Sequence, residues 1–285
     1  MSRSSWTVVV GVLCAALAQG AAAQNVKVTP LGGFDGEFCA QDRALVFEDP
    51  NGTRVLYDPG RSVAGATDAR LGRIDIILVS HMHGDHVGDV HTKAVNAGTC
   101  DKPDTSVSAM PESSAVEIAL AKKSKIVTGS EMPPFFAARL KANGGDPANS
   151  VLARFGGSVT VGGVRIATVA ALHSNGLVAW LSGDTGILAD QKLVIHDYYD
   201  AKLAVMNMGD GFTTGPAEAA YVINDLVKPA SVIPSHANEA GTVDGKVRPG
   251  SRTEAFIKAV KIPVHVPLSG RTMEFDAGGR CVAGC

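Results

Sequence analysis

The chain has 285 residues, 45% of them hydrophobic, 32 glycines and a formal net charge of −2. That length supports one large domain with a sizeable core, or at most two. The mild acidity and the lack of any basic run argue against nucleic acid as a partner.

The amino end comes first. Arg3 precedes a largely apolar stretch from Trp6 to Ala18, then small residues ending in Ala21-Ala22-Ala23. A basic start, an apolar run of roughly a dozen residues and an Ala-x-Ala site describe a secretory signal peptide. Cleavage is expected after Ala23, leaving residues 24–285 as a single domain in the periplasm or secreted. The apolar run is too short to span a bilayer, so no stable membrane anchor is expected. Without Arg3, the 26 basic residues become 25 against 28 acidic ones, a net charge of −3. Cys14 leaves with the leader; Cys39, Cys100, Cys281 and Cys285 stay. Four cysteines in an oxidising compartment allow three pairings, of which Cys39–Cys100 with Cys281–Cys285 is expected.

Residues 26–31, 43–48 and 54–57 read as strands, the last two joined at Pro50-Asn51-Gly52. Ile74, Ile76, Ile77, Leu78 and Val79 form a short buried strand that Ser80 ends. Directly after it come three imidazoles and a carboxylate in six residues, His81-Met82-His83-Gly84-Asp85-His86. His81 and His83, at i and i+2, can face one side as they leave the strand. Gly84 allows a tight turn that brings Asp85 and His86 round from another direction. Such donors suit zinc, and also iron or manganese.

Further on, Ser113 caps a helix reaching Lys123. Residues 125–128 are a strand, and 133–143 a second helix stopped by Gly144-Gly145. Residues 158–169 alternate like a hairpin turning at Gly162-Gly163. Strands follow at 177–181 and 203–207. Pro216 starts a helix with Ala219, Ile223, Leu226 and Val227 on its apolar face. A strand at 232–234, a helix at 251–260 and a strand at 264–267 complete the order. Two mixed sheets with helices outside them fit this succession better than a barrel or a bundle.

One six-residue loop cannot close two metal sites, so other strand ends must contribute. His173, Asp184 and His236 each stand just past an apolar strand, where side chains from different strands can meet. Ser174, Asn175, Thr213 and Asn238 lie close to these in sequence and could orient ligands or contact substrate. Of the remaining histidines, His91 is a candidate to support the ligands, His196 to donate at a pocket mouth, and His265 is structural.

These residues resemble the metallo-β-lactamase-fold hydrolases, over roughly Val26 to Val266. The carrying segments are the His81 to His86 motif, Ala171-Leu172-His173-Ser174, Ser182-Gly183-Asp184-Thr185-Gly186, Met208-Gly209-Asp210-Gly211-Phe212-Thr213-Thr214-Gly215-Pro216 and Pro234-Ser235-His236. The likeness is greatest to the branch holding ascorbate-6-phosphate lactonase and many metal-dependent hydrolases. It implies an α/β (α+β) fold, a four-layer αββα sandwich. It also implies two divalent ions, zinc first, with Mn2+ or Fe2+ as alternatives. His81, His83 and His173 would hold one ion, Asp85, His86 and His236 the other, and Asp184 would bridge them. A shared water would become a hydroxide nucleophile, with Asp85 as the catalytic proton acceptor.

The small-molecule substrate implied is an ester, lactone or amide, with lactone or ester preferred. β-Lactam hydrolysis and a non-catalytic binding module are the alternatives. Di-iron redox chemistry is disfavoured, because those relatives usually carry Glu where His83 stands. Two departures bear on the substrate. The branch's Gly-His-Ser after the first strand is replaced by Leu31-Gly32-Gly33-Phe34, and its tyrosine after the last histidine by Ala237. The pocket entrance therefore differs.

Overall fold

The computed structural model describes residues 25–129, 131–168, 171–174, 176–211 and 213–285, with 171–174 described by backbone alone. The expected leader, Asn175, Phe212 and the side chains of His173 and Ser174 lie outside these.

An eight-stranded sheet has β1 (Val26–Pro30), β2 (Leu45–Glu48), β3 (Arg54–Tyr57), β4 (Ile76–Leu78), β5 (Lys125–Thr128) and β6 (Ser150–Leu152) side by side. Beyond β1 it is extended by β13 (Met273–Phe275) and β14 (Cys281–Ala283). The pairs β1–β2 and β2–β3 are antiparallel, whereas β3, β4, β5 and β6 run parallel. The six-stranded sheet repeats this plan. Here β7 (Ser158–Val161), β8 (Val164–Ala167), β9 (Ala171–Ser174) and β10 (Leu177–Leu181) are an antiparallel meander, and β11 (Leu203–Asn207) and β12 (Ser231–Ser235) add in parallel.

Three apolar layers hold the sheets. Phe47, Tyr57, Leu78 and Val127 pack against Ile166, Leu181, Val205 and Ile233 between the sheets. The alternate residues Leu56, Ile77 and Ile126 face outward onto α2 (Ser114–Lys122) and α3 (Met132–Ala142) through Ile118, Phe136 and Leu140. Trp180, Ala204 and Met206 do the same toward α4 (Pro216–Tyr221) and α5 (Arg252–Ala259), meeting Ala219 and Phe256. Strands covered on both faces must be apolar at successive positions, which is why 76–79 and 203–208 lack alternation. The result is the expected αββα order.

The caps act as read: the Ser113 hydroxyl accepts from the Val116 amide, and Gly162 and Gly163 both take positive φ in the β7–β8 turn. Both disulfides pair as expected, Cys39–Cys100 and Cys281–Cys285. Residues 264–267 are not a strand. Only Val264 bridges Val232, and Pro263 and Pro267 bring no N–H to extend the ladder. The helix after Pro216 widens at Val222–Val227 into a π-type turn.

Ile77 is fully buried in β4, directly behind the histidine-rich loop. Ile77→Ala should cost about 2–5 kcal/mol of stability in denaturant melts, and Ile77→Val about 0.5–1.5. A loss no larger than that of a surface substitution would contradict the packing described.

Candidate metal centre

Parallel strands end on one edge, so β3, β4, β10, β11 and β12 deliver their carboxyl ends toward a common crevice. From β4 the chain passes Ser80 and His81 into α1 (Gly84–Val87), a single turn whose amides bond back to the His83 carbonyl. That turn swings Asp85 and His86 back toward His81. Gly84 is the first residue of this turn and has ordinary helical φ. A Cβ there would collide with the Asp89 carboxylate, so space, and not the tight turn expected, requires glycine.

Asp184 leaves β10 through Gly183, whose φ of 55° favours glycine. His236 leaves β12 at φ 57°, and its carbonyl lies where a Cβ of Gly209 would be.

Six of the seven expected ligands meet here. Asp184 lies 3.6 Å from His81 Nε2, 3.3 Å from His86 Nε2 and 3.3 Å from His236 Nε2. Asp85 Oδ2 lies 3.5 Å from His236 Nε2 and 3.7 Å from His86 Nε2. The ligand atoms of His81, His83 and Asp184 fall within 4.8 Å of one another, and so do those of Asp85, His86 and His236. The seventh, His173, is placed by its backbone on β9 opposite Val178. From that rung to Asp184 are six residues of chain, up to roughly 20 Å when extended.

Two side chains missed in the sequence hold these groups in place. Asp58, buried at the end of β3, accepts from the Ser80 amide at 2.8 Å, the Ser80 hydroxyl at 2.7 Å and His86 Nδ1 at 2.7 Å. His86 thus carries its proton on Nδ1 and turns Nε2 toward Asp184. The Ser80 hydroxyl has given its only proton to Asp58, so it accepts from His81 Nδ1 at 3.0 Å and frees His81 Nε2 likewise. Arg43, buried just before β2, donates from Nη2 to Asp85 at 3.2 Å and to Asn238 Oδ1 at 2.8 Å. Its neighbour Asp42 accepts from the Gly33 and Cys39 amides, and burial pushes its carboxyl up to about 6. The available signal was position: Arg43 and Asp58 flank strands on the edge that the histidines share.

The charges ask for a cation. Burial would raise the carboxyls of Asp85 and Asp184, but the hydrogen bond from His236 and neighbouring positive charge hold both well below the carboxylate range. Burial also opposes charge on His86, yet Asp184 and Asp58 outweigh it and lift the imidazole to about 9. His86 Nε2, His81 Nε2 and Asp184 Oδ1 are buried with no hydrogen-bond partner. Inward-facing nitrogen lone pairs beside anionic oxygens fit a borderline divalent cation.

The other candidates take structural places. His91 bonds the Thr92 carbonyl and lies 3.5 Å from Glu117, while His196 bonds the Val227 carbonyl. His265 stacks edge-on to Phe275. Thr213 bonds the Thr214 carbonyl, and Asn238 anchors Arg43.

The profile of the Beta-lactamase superfamily domain matches residues 41–236, well over half the chain. A metal-dependent hydrolase of Cupriavidus necator is 27% identical over 239 residues, covering 79% of this chain and 81% of the relative. A metallo hydrolase of Ignicoccus hospitalis superposes with a TM-score of 0.58 at 18% identity, over 88% of this chain and 99% of that one. The metallo-beta-lactamase fold protein YhfI of Bacillus subtilis does so at 0.55 and 12% identity, again over 88% and 99%.

Asp58→Asn should weaken divalent-cation affinity about 10–100-fold in chelator competition, because His86 loses the acceptor that fixes its tautomer. Unchanged affinity would remove Asp58 from the support of the site. Asp42 yields a pH prediction. Folded, it holds its proton to about pH 6; unfolded, only to about 4. Its stabilisation is complete below pH ~4 and fades as pH rises through 6, by roughly 3 kcal/mol in all. The stability of Asp42→Asn relative to the parent should therefore climb between about pH 4 and 7. Parallel pH profiles for the two proteins would show that Asp42 is not buried as described.

Proposed function

The chain belongs to the beta-lactamase superfamily and is a metal-dependent hydrolase, and we propose that it cleaves ester or lactone bonds with a pair of divalent cations, outside the cytoplasm. What supports the pair is one observation: two clusters of ligand atoms, each within 4.8 Å, share an edge at Asp184. Export is supported by the leader-like first 23 residues and by four cysteines that form two disulfides.

In this reading His81 and His83 bind the first cation, Asp85, His86 and His236 the second, and Asp184 both. His173 joins the first through its motif. Such cations, zinc being the preferred metal, would supply Lewis-acid polarisation of a carbonyl and a water of near-neutral pKa. The protein's own groups do the rest. Asp58 and Ser80 keep His86 and His81 in the tautomers that face inward. Arg43 pins Asp85 from behind and keeps its carboxylate aimed. Asp85 ligates and takes up the proton released as water adds to the carbonyl. As the acyl C–O bond breaks, Asp85 returns that proton to the departing alkoxide, giving acid and alcohol.

Purified protein should hold close to two metal equivalents, and chelation should abolish turnover of an ester and lactone panel. Asp85→Asn should cut kcat at least about 100-fold with the fold intact. Full turnover in that variant would exclude the role given to Asp85. Nitrocefin cleavage without ester or lactone cleavage would move the substrate class to β-lactams. His173→Ala retaining both metal equivalents would take His173 out of the ligand set.

A further inference from the structure

A cavity of about 420 Å³ opens beside the metal centre, within the usual range for small-molecule sites. Its position is one-sided. His81 and Asp184 form its inner end, whereas Asp85, His86 and His236 are not in its wall. From that end its wall takes Leu78, Val127, Ile166 and Leu181 from between the sheets, and Trp180 and Ile195 from the layer beneath the helices. On the solvent side stand Phe155 and Leu188, large apolar side chains that are 74% and 51% exposed. Burial of apolar side chains normally drives folding, so two left in water at the lip of an apolar cavity point to an apolar visitor.

The charges point the same way. Among the described residues of the wall there is no lysine or arginine, and the carboxylates present are Asp184 and Asp190. A phosphate or carboxylate on the arm away from the His81–Asp184 end would meet Asp190 and no lysine or arginine among the described residues. Anionic arms are held by guanidinium or ammonium groups, or by helix N-termini; α3 begins in this wall at Met132, but the Met132 amide bonds the Gly129 carbonyl and Pro133 and Pro134 bring no N–H.

We propose that this cavity binds an uncharged alkyl or aryl arm of the substrate, with the scissile carbonyl at the His81–Asp184 end. At about 30 Å³ for each water-sized group, it has room for roughly fourteen such groups, more than an octanoyl chain needs. The substrates are then esters or lactones with a medium-length apolar chain, not sugar phosphates. This rests on the hydrolase reading above and sharpens it to a substrate class.

The test has two readouts on metal-loaded enzyme. In a series of p-nitrophenyl esters from acetate to octanoate, kcat/KM should rise about fourfold per methylene. That is ~0.8 kcal/mol of burial per group against 1.36 per tenfold. Leu188→Asp, at an exposed site, should lower the octanoate-to-acetate ratio of kcat/KM at least tenfold. Independently, Trp180 lines the cavity, and Trp6 is the one other tryptophan of the chain. Titration with 1-octanol should give a saturable change in tryptophan fluorescence that Trp180→Phe removes. The mono-p-nitrophenyl ester of octanedioic acid, whose chain ends in a carboxylate, should have kcat/KM at least tenfold below that of the octanoate.

A flat chain-length profile, or the carboxylate-ended ester turning over as well as the octanoate, overturns the proposal. If short esters and lactones are cleaved but octanol leaves Trp180 unmoved, the cavity assignment fails and the hydrolase stands. If octanol saturates the signal but no ester or lactone is cleaved, the cavity assignment stands and the hydrolase reading fails.

Discussion

Asp184 is the side chain on which the arrangement turns. Three imidazole nitrogens from two sheets lie within 3.6 Å of its oxygens. A carboxylate withdrawn from water needs positive charge close by. Asp184 and Asp58 push the His86 imidazole up to about 9 against the pull of burial, so this point of the fold favours positive charge. The unpartnered Asp184 Oδ1 and imidazole nitrogens are the same demand seen from the donor side. A divalent cation answers it in full, with the right charge and with directional bonds to each lone pair.

Such convergence needs a rigid frame. A protein that must bring ligands from residues 81 to 236 to one point can do so only where several strands stop together. The doubled plan of this fold provides that place, since each sheet turns from antiparallel to parallel near its middle. Ile76, Ile77 and Leu78, all buried, hold the histidine loop from behind, and Leu181 and Ile233 do so for the opposite sheet. Apolar packing between the layers thus decides where the polar groups stand.

That physics explains what was legible in the chain. The interior strands could be read because burial on both faces makes them runs such as Ile76-Ile77-Leu78-Val79, and six of the candidate ligands because they follow such runs; His173, expected past a strand end, stands instead inside β9. Short edge strands could not. Met273–Phe275 has three residues and a charged centre, and it exists because β1 offers an open edge. The opposite error arose at 264–267, where apolar residues line up but prolines forbid a ladder. Arg43 and Asp58 escaped for a related reason. Neither belongs to a local motif, and their meaning lies in partners 42 and 28 residues away.

The two halves of the centre are not equivalent, and their surroundings say why. His86 and His236 are buried, with Asp58 and Arg43 filling the space behind their cluster, whereas His83 is exposed and His81 half-buried. Ionic groups cut off from solvent gain most from neighbours fixed in advance, because no water can reorganise to serve them. The inner cluster has such neighbours: a carboxylate on His86 and a guanidinium on Asp85. The outer cluster has one serine hydroxyl on His81 and open space beyond it. A fold that spends its buried polar contacts on one half and leaves the other facing a cavity has separated two tasks. One half holds charge in place, and the other leaves room for a reacting molecule to arrive and depart.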